Sequence, residues 1–105
     1  MGFKQYHEPA SELSEETRTF ARMIASLIEE AEAIDWYEQR LSVEKDDSAK
    51  AIMKNAQEEE YKHFGMDLEW ILRQKPDFRT ILKPILFSQG DIVKLGKQGE
   101  KSAGQ

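Results

Sequence analysis

The sequence predicts an all-α protein in which two long antiparallel helices are followed by a short C-terminal helix, and two chains pair into a four-helix bundle. Three observations support this. Residues 14–75 contain two long stretches with apolar residues at 3–4 spacing. A polar break at residues 42–47 separates the stretches. An acid on the first stripe and an acid–imidazole pair on the second form half of a metal-ligand set that four helices complete.

The first helix is expected to start at Ser11 or Ser14 and to run to about Leu41. Ser14 is a suitable N-cap, and the two glutamates after it place negative charge where the helix dipole favours it. No glycine or proline interrupts the stretch. Its inward stripe contains one acid and consists of Met23, Leu27, Glu30, Ile34, Tyr37 and Leu41. A helix of ~28 residues is about 42 Å long, a length typical of helical bundles.

Asp47 or Ser48 is expected to cap a second helix that ends near Gln74, because the residue before Pro76 disfavours the α conformation. The short connection makes the two helices antiparallel neighbours. The inward stripe of this helix is Met53, Ala56, Glu60, His63 and Trp70.

Asp77 is expected to cap a short third helix, which Pro84 kinks or divides, and residues 91–95 add a further turn. The stretch after Leu95 is rich in Gly, Lys and Ser and is expected to be disordered. The expected organisation is a flexible segment at 1–13, a metal-carrying hairpin at 14–75, a short helix at 76–95 and a disordered tail at 96–105.

The second helix carries the motif Glu60-x-x-His63. Residues three apart on a helix share one face, about 5–6 Å apart at Cβ, and can hold one metal ion between them. A charged group and a titratable group on an apolar seam are unfavourable unless something compensates them. Glu30, at an inward position of the first helix, offers a third ligand.

One acid on one helix and a Glu-x-x-His on another are half the ligands of a carboxylate-bridged di-iron bundle. A two-helix hairpin also buries little apolar surface alone. Both deficits vanish if two chains pair about a twofold axis, so that Glu30, Glu60 and His63 come from both subunits. These ligands suit iron or manganese, although zinc or cobalt can use the same groups. Trp36 and Tyr37 follow Glu30 on the first helix and are candidate redox or packing neighbours, and Tyr37 is counted among the candidate catalytic residues.

The composition excludes several classes of function. A net charge of −5 and a pI of about 5.1 argue against nucleic-acid binding, which needs a basic face. No apolar run approaches the ~20 residues of a membrane span. The first twelve residues lack the apolar core of a signal peptide. The absence of cysteine excludes disulfides and thiolate ligands and fits a cytoplasmic protein.

Three stretches of the sequence resemble the encapsulated ferritins: Glu29-Glu30-Ala31-Glu32-Ala33-Ile34-Asp35-Trp36-Tyr37-Glu38-Gln39-Arg40, Glu59-Glu60-Tyr61-Lys62-His63 and Met66-Asp67-Leu68-Glu69-Trp70. The resemblance runs from His7-Glu8-Pro9 to about Phe87. It implies a ferritin-like fold and a ferroxidase whose di-iron centre forms between two subunits.

By the same resemblance, the ligands of this centre are Glu30, Glu60 and His63. Glu29 and Glu32 would form a metal-attracting site near the ring interior, with Trp36 close by as a second-shell neighbour, and calcium is a candidate for such secondary sites. The resemblance further implies a ring-shaped decamer, a pentamer of dimers. This ring would be cargo of an encapsulin nanocompartment in the cytoplasm, where oxidised iron is stored.

The sequence departs from the family pattern in two places. Some relatives use a histidine and an acid for an outer metal site, but here those positions are Asn55 and Lys62, which leave only Glu59. This outer site is expected to be weakened or absent. The residues after Leu95 do not match a Gly-Ser-Leu-type shell-docking peptide, so Ile92-Val93-Lys94-Leu95-Gly96 is a candidate for a divergent docking segment.

Two alternatives remain open. The first is a non-catalytic helical-hairpin adaptor or structural dimer with a polar seam, which predicts no iron oxidation. The second is a rubrerythrin-like di-iron peroxidase, although a chain without cysteine has no ligands for a rubredoxin iron.

Overall fold

The computed structural model describes residues 5–104. Residues 1–4 of the expected flexible N-terminal segment, and Gln105, lie outside the described residues. The described residues form a 3-10 helix at Ala10–Glu12 and four α-helices, with no strand among them. The helices are α1 at Glu15–Val43, α2 at Asp47–Gln74, α3 at Pro76–Leu82 and α4 at Ile92–Ser102. The all-α class is therefore confirmed. None of these helices combines the length and the apolar character needed to cross a membrane.

The chain divides into two compact units, Met1–Glu69 and Trp70–Gln105. The first unit begins its long helix as predicted. The Ser14 hydroxyl oxygen accepts a hydrogen bond from the Thr17 backbone N–H at 3.1 Å, and Glu15 and Glu16 occupy the first turn. The 29 residues of α1 correspond to a helix about 44 Å long.

The cap of α2 differs from the prediction, which placed it at Asp47 or Ser48. Asp46 is the capping residue: its Oδ2 accepts from the Ala49 backbone N–H at 2.9 Å and from the Ser48 hydroxyl at 2.7 Å. These two hydrogen bonds lower the pKa of the Asp46 carboxyl. The predicted cap was therefore one residue too far along the chain. A capping side chain accepts a hydrogen bond from the backbone N–H of a residue two or three positions later, and Asp46 lies three residues before Ala49.

A buried glutamine joins the two helices of the hairpin. Gln57 is 2% exposed, and its Nε2 donates to the Ile34 carbonyl oxygen at 3.2 Å and to Glu38 Oε1 at 2.9 Å. The first half of α2 thus lies beside the second half of α1, as the predicted antiparallel arrangement requires. A buried amide is stable only when its hydrogen-bonding groups have partners, so these bonds fix the register of the hairpin.

The first unit leaves much of its apolar surface uncovered. No residue of α1 is buried. The exposed large apolar residues of α1 and α2 are Trp36, Val43, Ile52, Tyr61 and Met66. A hairpin of two helices has little interior of its own in which to bury such residues.

In the second unit, α3 begins one residue before the predicted cap. Lys75 is the N-cap, without a side-chain cap hydrogen bond, and Pro76 lies in the first turn. Proline suits this position because its missing N–H would have no helical partner there. The prediction of Asp77 as the cap was therefore wrong, although Asp77 does place its charge in the first turn. The helix ends at Leu82, before Pro84.

The structure contradicts the predicted disordered tail at 96–105, and only its last residue lies outside the description. Asp91 caps α4 by accepting from the Lys94 backbone N–H at 3.0 Å, and the helix continues to Ser102 instead of ending near Leu95. Gly99 is buried against the backbone of Ile81 in α3, so closely that a Cβ atom would collide with the Ile81 carbonyl oxygen. Glycines reduce helix propensity, but here a glycine permits the close helix contact that supports α4.

Candidate metal centre

Three side chains from the two long helices converge in the first unit. Glu30 comes from α1, and Glu60 and His63 come from α2. One ligand atom from each lies within 4.8 Å of the others, the one such group of three among residues 5–104. Two carboxylates and an imidazole are ligands that a first-row divalent cation accepts. The donor set therefore fits the metal that the sequence predicted.

The imidazole of His63 directs one nitrogen towards both acids. Its Nδ1 lies 2.6 Å from Glu60 Oε1 and 3.9 Å from Glu30 Oε2. Ligands at about 2.2 Å from one cation can be separated by up to roughly 4.4 Å, so the longer distance is within reach of a shared ion. Glu60 and His63 are one helical turn apart, which explains why α2 alone brings them together.

The environment of Glu30 favours its protonated form. Burial is the main cause of the raised pKa of its carboxyl, followed by the hydrogen bond to Glu60 and the negative charges of Glu60 and Asp67. His63 lowers the pKa of the same carboxyl. Burial and the nearby negative charges disfavour the ionised form of Glu30 unless something compensates it, and a proton on Glu30 supplies that compensation. A cation supplies the same compensation, and its binding would release that proton.

The centre is open on one side in the single chain. The side chains of Glu30 and Glu60 are each 21% exposed, and that of His63 is 42% exposed. Three protein ligands also leave coordination positions of a bound cation unfilled. The geometry thus has room for further ligands from outside this chain.

Sequence reasoning missed one acid next to the centre, Asp67. Its Oδ2 is buried and has no hydrogen-bond partner in the part of the chain that the structure describes. Burial is the main cause of the raised pKa of the Asp67 carboxyl. His63 lowers this pKa, and the negative charge of Glu60 raises it. The signal was present in the sequence, because the 3–4 spacing of the α2 stripe continues from His63 to residue 67. The predicted stripe passed directly from His63 to Trp70.

The structure does not bring the other predicted site residues into this group. Glu29 is exposed and Glu32 is half-buried, both on α1. Trp36 is 51% exposed. The ring of Tyr37 has the Arg40 guanidinium 5.2 Å from its centroid, a cation–π arrangement. The metal-attracting role of the two glutamates and the redox or second-shell roles of the two aromatic residues stay predictions.

The acid remaining from the expected outer site is paired on the surface of α2. Glu59 Oε2 lies 2.7 Å from Lys62 Nζ, and both side chains are more than half exposed. The hydrogen bond and charge of Lys62 lower the pKa of the Glu59 carboxyl. A lysine in this position competes with a cation for the carboxylate.

Comparisons of the sequence and of the structure with known proteins find relatives of this chain. The sequence profile of the EncFtn-like family matches residues 5–89. A ferritin-like protein of Thermotoga maritima is 39% identical over 94 residues, which are 90% of this chain and 82% of that protein. An encapsulated ferritin-like protein of Rhodospirillum rubrum is 39% identical over 101 residues, covering 93% and 72% of the two chains. A crystal structure of a Nitrosomonas europaea protein superposes with a TM-score of 0.80 at 48% identity, covering 83% of this chain and 96% of that one.

Proposed function

We propose that this chain, which belongs to the EncFtn-like family, is a ferroxidase that oxidises Fe(II) to Fe(III) with dioxygen at a di-iron site formed between two subunits. The observation that carries the proposal is the convergence of Glu30, Glu60 and His63 within 4.8 Å. The name of the Rhodospirillum rubrum relative adds the second part of the proposal, that the protein is cargo of an encapsulin shell. Iron oxidised at the site would then be stored inside that nanocompartment.

Iron is the substrate in this reaction: two Fe(II) ions each give one electron to one dioxygen molecule, which takes up two protons and leaves as hydrogen peroxide. The residues of the chain bind the ion and respond to its change of charge. His63 binds through Nδ1, the nitrogen that faces both acids, and must be unprotonated there. Glu30, whose carboxyl pKa is raised, gives up its proton when the cation binds beside it and Glu60. Their negative charges then compensate the additional positive charge of Fe(III), which lowers the free energy of the oxidised product.

Two features support a site shared between subunits. The trio is half of the ligand set of a di-iron bundle, and it is open to solvent in the single chain. The helix that supplies Glu30 has no buried residue, so a second hairpin would cover apolar surface as it completes the ligands. A dimer of hairpins, assembled further into a ring-shaped decamer, is the form we propose.

Two further acids of α1, one exposed and one half-buried, have a different proposed role. Glu29 and Glu32 lie one residue before and two residues after Glu30. Carboxylates next to a metal centre attract cations to it, and hard cations such as calcium accept the same oxygen ligands. Tyr37 and Trp36 lie about two turns further along α1, where they would contribute packing or electron transfer.

The direct test is oxidation of Fe(II) in air by the purified chain, followed by ferric absorbance. Glu30→Ala, Glu60→Ala and His63→Ala should each reduce the rate to that of iron without protein. Glu58→Ala is the matched control, because Glu58 is an exposed acid on α2 next to the site. Site variants that oxidise iron as fast as wild type would contradict the proposal. A hairpin adaptor would show no protein-dependent oxidation in any form.

A further inference from the structure

We propose that Asp67 is a positioning residue of this metal centre, adding a third carboxylate to each half-site and strengthening the binding of a divalent cation by Glu30, Glu60 and His63. The inference rests on the proposed function. Asp67 lies outside the tight group of three ligands. Its action is therefore on the bound cation and its ligands from the adjoining position, as an additional negative charge and hydrogen-bond acceptor.

The position of Asp67 on α2 places it on the face that carries the ligands. It follows His63 by four residues and Glu60 by seven, and both spacings return to the same side of a helix. Its charge acts on Glu30 of the facing helix, and the charges of Glu60 and His63 act on Asp67. The four groups thus form one electrostatic cluster in the first unit.

The burial of one Asp67 oxygen has no structural explanation within the chain. Oδ2 is inaccessible to solvent and accepts no hydrogen bond from residues 5–104. A buried carboxylate oxygen without a donor is unfavourable. Asp67 lies inside α2, far from the N-terminus where an aspartate stabilises a helix, and aspartate has low helix propensity elsewhere. A cation held by Glu30, Glu60 and His63 provides, through its charge, the compensation that the chain does not.

This role predicts opposite effects on stability and on metal binding. Asp67→Asn keeps the size of the side chain but removes its charge from a crowded group of acids. The metal-free variant should therefore unfold at the same or a higher temperature than wild type. Loss of an outer partner of a metal site typically weakens binding about 10–100-fold, so the affinity for the cation should fall by that amount. A purely structural carboxylate would instead lower the unfolding temperature and leave the affinity unchanged.

Mn(II) is a suitable probe, because it accepts the same oxygen and imidazole ligands and its free form is measured directly by electron paramagnetic resonance. The full chain would be titrated as wild type, Asp67→Asn, Asp67→Glu and Glu58→Gln. We expect wild-type affinity for Glu58→Gln, the 10–100-fold loss for Asp67→Asn and substantial recovery for Asp67→Glu. Asp67→Ser replaces Asp67→Asn in the same comparison if the latter does not fold.

Wild-type affinity in a folded Asp67→Asn or Asp67→Ser variant would overturn the inference and leave the proposed function standing. A loss of affinity accompanied by an equal loss in Glu58→Gln would also overturn it, because the effect would then be one of overall charge. If wild type itself binds no Mn(II) and oxidises no Fe(II), the proposed function fails, and this inference fails with it.

Discussion

Glu60 Oε1 and His63 Nδ1 lie 2.6 Å apart, one turn apart on the same helix. Their proximity is a local property of α2 and needs no tertiary structure. Glu30 joins them from α1, so its position depends on the register of the hairpin. Gln57, buried and hydrogen-bonded to the Ile34 carbonyl group of α1, fixes that register close to the site. A local pair and a tertiary contact together thus build the centre.

The raised pKa of Glu30 predicts how stability depends on pH in the absence of metal. The folded state binds this proton more tightly than the unfolded chain does, so protonation of Glu30 stabilises the fold. This stabilisation is fully present below the ordinary glutamate pKa of 4.5. It is lost as the pH rises through the raised pKa. Relative to wild type, Glu30→Gln should therefore gain stability across this interval and remain constant below it.

Urea unfolding at several pH values, with a chelator present, measures this difference. Glu58→Gln, which replaces an exposed acid on α2, is the control and should show no comparable trend. A Glu30→Gln curve parallel to that of wild type from pH 4 to pH 7.5 would show that Glu30 titrates as an ordinary exposed glutamate.

Metal should drive assembly of the chain. Without a cation, the acids of two facing half-sites repel each other or share protons, and the subunit contact that they border is weakened. Fe(II) without oxygen, or calcium, should shift the mass distribution from monomer or dimer towards the ring in native mass spectrometry. Glu30→Ala and Glu60→Ala should abolish the response to iron, and Glu58→Ala should keep it. A distribution that does not change with metal concentration would count against metal-driven assembly.

Two glycines of α4 should respond in opposite directions to replacement by alanine. A Cβ atom at Gly99 would collide with the Ile81 carbonyl oxygen, so Gly99→Ala should lower the free energy of unfolding by about 1–3 kcal/mol. At Gly96 the nearest atom would be Ile85 Cδ1 at 3.9 Å, an ordinary contact. Gly96→Ala should instead raise the free energy of unfolding by up to about 1 kcal/mol, through helix propensity. Chemical unfolding followed by circular dichroism measures both, and equal effects would contradict the close contact of α3 and α4.

The sequence contained enough information to predict the long helices and the central trio. The spacing of the apolar residues predicted the two long helices, and Ser14 predicted a local cap that the structure confirms. Glu30, Glu60 and His63 could be recognised because acids and imidazoles on apolar stripes are conspicuous exceptions to the pattern. Each of these signals depends on residues close together in the sequence or on a simple helical period.

What could not be predicted depends on contacts between distant residues. The second half of α4 has few apolar residues, and its helix depends on Gly99 meeting Ile81 in another helix. Gln57 looks like an ordinary surface residue in the sequence, and only the packing of the helices shows that it is buried. The spacing of the α2 stripe places Asp67 on the ligand face, but only the packing shows that one of its oxygens is buried. Local propensity is a weak guide where tertiary packing decides the outcome.

Diffraction at the iron absorption edge, from crystals soaked with Fe(II), tests the central claim most directly. We predict anomalous peaks within coordination distance of Glu30 and Glu60 carboxylate oxygens and His63 Nδ1, with a second copy of the three residues completing the site. Peaks only at other residues, or three side chains that face solvent without iron and without a second chain, would contradict it.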